Sequence, residues 1–91
     1  MIPGAPWRIV IQKRAQKVID RLTPDLIRRI YAELNQLAQD PRHPGTRPVE
    51  GTEFRRARVG DWRIIYAVED EELVVLVVKI APRGDVYRNL R

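Results

Sequence analysis

Residues 54–69 read FRRARVGDWRIIYAVE, and this stretch decides the fold. Phe54 to Val59 reads as a strand, Gly60-Asp61 as a tight turn and Trp62 to Glu69 as the returning strand. Side chains alternate along a strand, so Arg56 and Arg58 project to one face while Arg55, Ala57 and Val59 project to the other. A two-residue turn sets Val59 opposite Trp62, Arg58 opposite Arg63 and Arg56 opposite Ile65. Arg56, Arg58 and Arg63 then share one side of the hairpin. Like charges placed across a ladder repel. Such a cluster is expensive unless an anion is expected there. The bland alternative is a solvated basic edge that blocks sheet-to-sheet aggregation.

Working outward, Asp70 and Glu71 turn the chain, and Leu73 to Ile80 is almost wholly apolar and β-branched, a central strand. Ala81 to Asp85 leaves that strand, and Val86 to Arg91 has room for one short helical turn. Upstream, Trp7 to Gln12 reads as a strand. Ala15, Val18, Ile19 and Leu22 recur at helical spacing and give a short amphipathic helix. Thr23 is a good N-cap and Pro24 suits the first helical position, so a second helix starts there. Ile27, Ile30, Leu34, Leu37 and Ala38 form its buried stripe, and Asp40-Pro41 ends it. Pro41 to Thr52 reads as a loop holding the sole histidine, His43, a surface residue by its proline-flanked setting. The reading is a single α+β domain over 1–91, ordered β-α-α-β-β-β. Its last three strands form an antiparallel sheet with the helix hairpin packed on one face.

The chain has 91 residues, a formal net charge of +5 and no cysteine. That excludes a disulfide framework and a thiolate metal site. No apolar run is long enough to span a bilayer, and the first residues lack the pattern of a secretory signal, so a cytoplasmic protein is expected. The positive balance favours polyanions. The cations are mostly arginine, whose planar fork pairs with phosphate, and lysine occurs only at 13, 17 and 79.

The candidate chemistry lies in the last third. Arg83 and Tyr87 follow the apolar strand, and with Arg56, Arg58 and Arg63 they suggest a phosphate-holding site, with RNA as the substrate. Taken alone, Tyr87 also reads as a packing aromatic near the C-terminus. Asp20, Asp25, Glu33 and Asp40 lack metal-ligand spacing. There is no Gly-rich phosphate loop, nucleophile elbow or zinc signature, so no metal and no cofactor is expected.

Two segments, Arg56-Ala57-Arg58-Val59-Gly60-Asp61-Trp62-Arg63-Ile64-Ile65-Tyr66 and Ile80-Ala81-Pro82-Arg83-Gly84-Asp85-Val86-Tyr87-Arg88, together with Glu50-Gly51, resemble the RelE family of toxins from type II toxin–antitoxin systems. The likeness runs from Trp7 to Arg88. It implies a metal-independent endoribonuclease, an mRNA interferase that cuts messenger RNA in the ribosomal A site and inhibits translation. It also implies a RelB-like antitoxin through which the pair binds operator DNA. In that likeness Arg56 and Arg58 match a basic RNA-binding pair, Arg63 a phosphate-binding arginine, Arg83 an arginine near the leaving group, and Tyr87 the proposed general base.

The implied reaction is attack of a ribose 2′-OH on its own phosphate. It needs removal of the 2′ proton and neutralisation of the growing charge on phosphorus, which preorganised arginines supply. Two departures stand out. Relatives often carry lysine where this chain has Arg56 and Arg58, and arginine does not readily release a proton. Many carry Gly-His-Arg in place of Ala81-Pro82-Arg83, which leaves protonation of the 5′-oxygen to Arg83 or water. Two alternatives are a ParE-like toxin that poisons DNA gyrase and a non-catalytic, decayed module that binds its antitoxin.

Overall fold

The computed structural model describes residues 5–88. The elements are β1 (Arg8–Ile11), α1 (Lys13–Ile19), α2 (Pro24–Gln39), β2 (Thr46–Pro48), β3 (Arg55–Val59), β4 (Trp62–Glu69) and β5 (Val74–Pro82). They form one five-stranded sheet in the order β1-β5-β4-β3-β2. The fold is α+β, as expected. The sheet is mixed, however: β1 runs parallel to β5, and the other pairs are antiparallel.

Local chemistry accounts for the helices. Thr23 caps α2 by accepting a hydrogen bond from the Leu26 amide, with Pro24 as the first helical residue. The α2 stripe of Ile30, Leu34, Leu37 and Ala38 is buried. Ile30, Leu34 and Leu37, with Ala15 and Ile19 of α1, pack against Ala57, Val59, Ile64, Tyr66, Val75, Val77 and Ile80, the inner face of the sheet. Full burial of an aliphatic side chain of this size contributes roughly 1.5–3 kcal/mol.

Four features depart from the sequence reading. The 41–52 segment contains β2, which pairs Thr46 with Ala57, Arg47 with Arg56 and Pro48 with Arg55. Proline is tolerated because β2 is an edge strand whose outer side needs no ladder donor. Leu73 is not part of β5. It sits at φ 53° in the turn after β4, a left-handed conformation that a side chain rarely adopts. His43 is only partly exposed and fastens the loop: its Nε2 lies 2.7 Å from Glu33 Oε2 on α2, and its Nδ1 accepts from the Gly45 amide.

The fourth feature is a bulge. Ile65 pairs with Lys79, but Tyr66 pairs with Val77, so Val78 is an extra residue in β5. Val75 and Val77 face the helices, and strict alternation would send Lys79 inward after them. The extra residue reverses the parity. Ile80 enters the core, and Lys79 takes the outer face beside Ile65.

Candidate active site

The β3–β4 hairpin has the register read from the sequence: Arg56 opposite Ile65, Arg58 opposite Arg63 and Val59 opposite Trp62. Gly60 holds φ at 58°, while Asp61 has no positive φ, which is the sign pattern of a type II′ turn. A side chain at Gly60 would be strained by that φ and would meet the Arg29 guanidinium at 3.0 Å. This turn places Arg63 beside Arg58 on the outer face.

Arg63 is 8% exposed and held rigidly. Its Nη1 donates to the carbonyls of Gly60 and Trp62, both at 3.0 Å. Burying a guanidinium is unfavourable without such partners. Here both bonds go to neutral carbonyls, which bring no counter-charge to the guanidinium. Among the described residues, no carboxylate forms an ion pair with Arg56, Arg58, Arg63 or Arg83.

The C-terminal segment completes the site. The Arg83 amide donates to the Asp61 carbonyl at 2.8 Å, tying the end of β5 to the hairpin turn. The Asp85 and Val86 amides both donate to the Pro82 carbonyl, and the Arg88 amide donates to the Asp85 carbonyl. This series of turns occupies the place where a helical turn was expected; residues 89–91 of that expectation lie outside the described residues. Val86 is fully buried although it lies outside the helix-side core. Tyr87 is 46% exposed and does not act as a sealed packing aromatic.

Arg56, Arg58, Arg63, Arg83 and Tyr87 line one open depression of about 330 Å³. All five residues singled out in the sequence thus meet in one place. Four cations gathered around a phenol make a site suited to an anion. Sequence reasoning missed two neighbours on the same face. Arg47 lies opposite Arg56 on β2, and Lys79 lies opposite Ile65 on β5. Neither was legible, because one sits in a proline-rich segment and the other follows a bulge. Among the described residues, no group of three or more His, Cys, Asp or Glu side chains is placed to hold a metal ion.

The other framework tyrosine has a different setting. Tyr66 is fully buried, and its hydroxyl donates to the Pro41 carbonyl at 2.6 Å. Burial pushes its phenol above the usual tyrosine range, opposed in part by Thr46 and Arg55. Arg55, next to Arg56 but on the helix face, donates to Thr46 Oγ1 at 2.8 Å.

Comparison with known proteins fits this architecture. Residues 9–87 match the family model described as ParE toxin of type II toxin-antitoxin system, parDE. The chain belongs to this toxin family, within the RelE/ParE superfamily. It is 25% identical to toxin RelG of Mycobacterium tuberculosis over 87 residues, covering 91% of this chain and 98% of that one. Among solved structures it is similar to a chain of the archaeal RelE–RelB complex from Pyrococcus horikoshii. That match has 31% identity and a TM-score of 0.77, covering 89% of this chain and 99% of the other. A chain of the intact E. coli RelBE complex shares the fold at 20% identity and a TM-score of 0.75, covering 84% and 95% respectively. The protein is therefore a toxin of a type II toxin–antitoxin system. Among the described residues, no helix is long and apolar enough to cross a membrane.

Proposed function

We propose that this toxin is a ribosome-dependent endoribonuclease that cuts messenger RNA in the A site. The observation that carries the reading is the convergence of Arg56, Arg58, Arg63, Arg83 and Tyr87 on one depression. Arg56 and Arg58 hold the RNA backbone. Arg63, fixed by two carbonyls, receives the scissile phosphate. Tyr87 takes the 2′ proton as the ribose oxygen attacks phosphorus, and the 5′-oxygen leaves with a proton from Arg83 or water. The surrounding cations neutralise the charge that develops on phosphorus. Arg56 and Arg58 position and neutralise and do not act as acid or base, since arginine does not readily release a proton. The ribosome supplies in-line alignment, so free RNA is a poor substrate. The reaction uses no metal in this account.

The partner is a RelB-like antitoxin, by analogy with the RelE–RelB complexes of the structural relatives. An amphipathic helix of the partner would cover exposed apolar side chains of the helix hairpin and sheet edge, such as Tyr31 on α2. Operator DNA is then bound through the antitoxin, and the setting is the cytoplasm.

The ParE description of the matching family model favours a second reading, inhibition of DNA gyrase. That activity requires no hydrolytic site, and it leaves the arginine-lined phenol without a role. Primer extension on messenger RNA during cell-free translation separates the two. Codon-aligned breaks support the nuclease. Gyrase-dependent DNA damage with intact messenger RNA supports the alternative.

A further inference from the structure

Tyr87 stands on a segment too short to hold itself. A few turns cannot sustain a fixed geometry without outside contacts. Three anchors are visible: the Arg83 amide on the Asp61 carbonyl, the buried Val86 side chain, and Lys79. Lys79 Nζ donates to the Asp85 carbonyl at 3.3 Å and also to the Arg88 carbonyl. These two carbonyls bracket Tyr87. The Asp85–Arg88 ion pair is long, at 3.8 Å, and exposed, so it adds little rigidity.

The bulge in β5 makes this clasp possible. Without Val78 as the extra residue, Lys79 would follow Val77 into the core; with it, the ammonium reaches the outer face. A bulge beside a site commonly re-aims a side chain. Lys79 is not among the residues lining the depression. Its donors are engaged with backbone, and its path to the chemistry runs through residues 85–88. Ile65, its cross-strand neighbour, is fully buried on this outer face, as expected if the turn folds back over that position.

We infer that Lys79 is a positioning residue: it clamps the 85–88 turn and so fixes the Tyr87 phenol among the arginines. The functional half of this inference rests on the nuclease reading; the structural half does not.

The test uses Lys79→Met, which keeps the chain length without the donors, and Lys79→Arg, which keeps the cation. Amide hydrogen exchange is followed at Val86 and Arg88, whose amides bond to the Pro82 and Asp85 carbonyls. Lys79→Met should speed exchange at both about tenfold or more, with the β3–β4 ladder unchanged. Lys79→Arg should restore most of the protection. In single-turnover cleavage on programmed ribosomes, Lys79→Met should lower the maximal rate by about 10–100-fold, since a small misplacement has effects of that order, while half-saturation stays the same. In a Tyr87→Phe background the same change should add little, because coupled residues are not additive.

Unchanged exchange in a folded Lys79→Met protein overturns the inference. So does a full, additive rate loss in the Tyr87→Phe background. Wild-type protein that cuts no messenger RNA overturns the nuclease reading instead, and exchange alone then decides whether Lys79 clamps the turn.

Discussion

Tyr66 and Tyr87 are the same phenol in opposite settings, on opposite faces of the sheet. Tyr66 faces the helices, fully buried, with its hydroxyl on the Pro41 carbonyl and its ionisation suppressed by burial. Tyr87 lies at an open depression among four arginines. Adjacent arginines on β3 divide the same way. Arg55 points to the helix side and bonds Thr46, although its buried Nε has no partner. Arg56 points outward into the cationic depression. The difference teaches that residue type does not assign chemistry. Strand alternation sends one member of each pair to a place that stabilises the fold, and the other to a place where uncompensated charge can act on an anion.

The largest expected effect comes from removing the most firmly held cation. Arg63→Met should lower ribosome-dependent cleavage by about 10²–10³-fold, the order found when one preorganised donor is lost. Stability should also fall, because the Gly60 and Trp62 carbonyls lose their donor. Arg63→Lys should recover little activity, since an ammonium does not reproduce the guanidinium fork. Cleavage unchanged by either substitution would break the assignment of the outer face.

On the helix side the expected signature is reversed. Ile64 is fully buried in the core, so Ile64→Ala should destabilise by about 2–5 kcal/mol in chemical denaturation. The folded fraction should cleave at the wild-type rate.

Tyr66→Phe sharpens the comparison further. It leaves the Pro41 carbonyl unpaired and should destabilise by about 1–3 kcal/mol. The Tyr66 phenol is raised in the folded state, so its contribution is fully present below the unfolded value of about 10 and is lost as pH rises through the folded value. Denaturation midpoints measured from pH 8 upward should fall less steeply in Tyr66→Phe than in wild type.

The smallest effect is expected at Asp70. Its carboxyl is held below the usual range by the hydrogen bond from Arg42, and that contribution is present above the unfolded carboxyl value and lost as pH falls. The pair is exposed, so Asp70→Asn should leave the thermal midpoint nearly unchanged at neutral pH.

Most of the site was legible because it depends on short-range rules. Gly60-Asp61 fixes the hairpin register, and alternation then places Arg56, Arg58 and Arg63 together. Arg83 and Tyr87 follow β5 closely enough for the chain to deliver them to the same depression. What stayed hidden depends on partners distant in sequence. Nothing local says that Arg8–Ile11 pairs in parallel with β5, since a strand's neighbour is set by tertiary packing. β2 was concealed by Pro48, which is compatible with a strand only at an edge. The bulge at Val78 leaves no trace in a run of valines, and with it went the direction of Lys79. His43 reads as a surface residue until α2 brings Glu33 within reach.

The central claim is that the outer phenol performs chemistry and the inner one does not. Single-turnover cleavage of messenger RNA on programmed ribosomes, comparing Tyr87→Phe with Tyr66→Phe at equal folded concentration, tests it most directly. We expect Tyr87→Phe to lose about a hundredfold in rate with unchanged stability, as for removal of a general base, and Tyr66→Phe to keep the wild-type rate. Full activity in Tyr87→Phe would contradict the account.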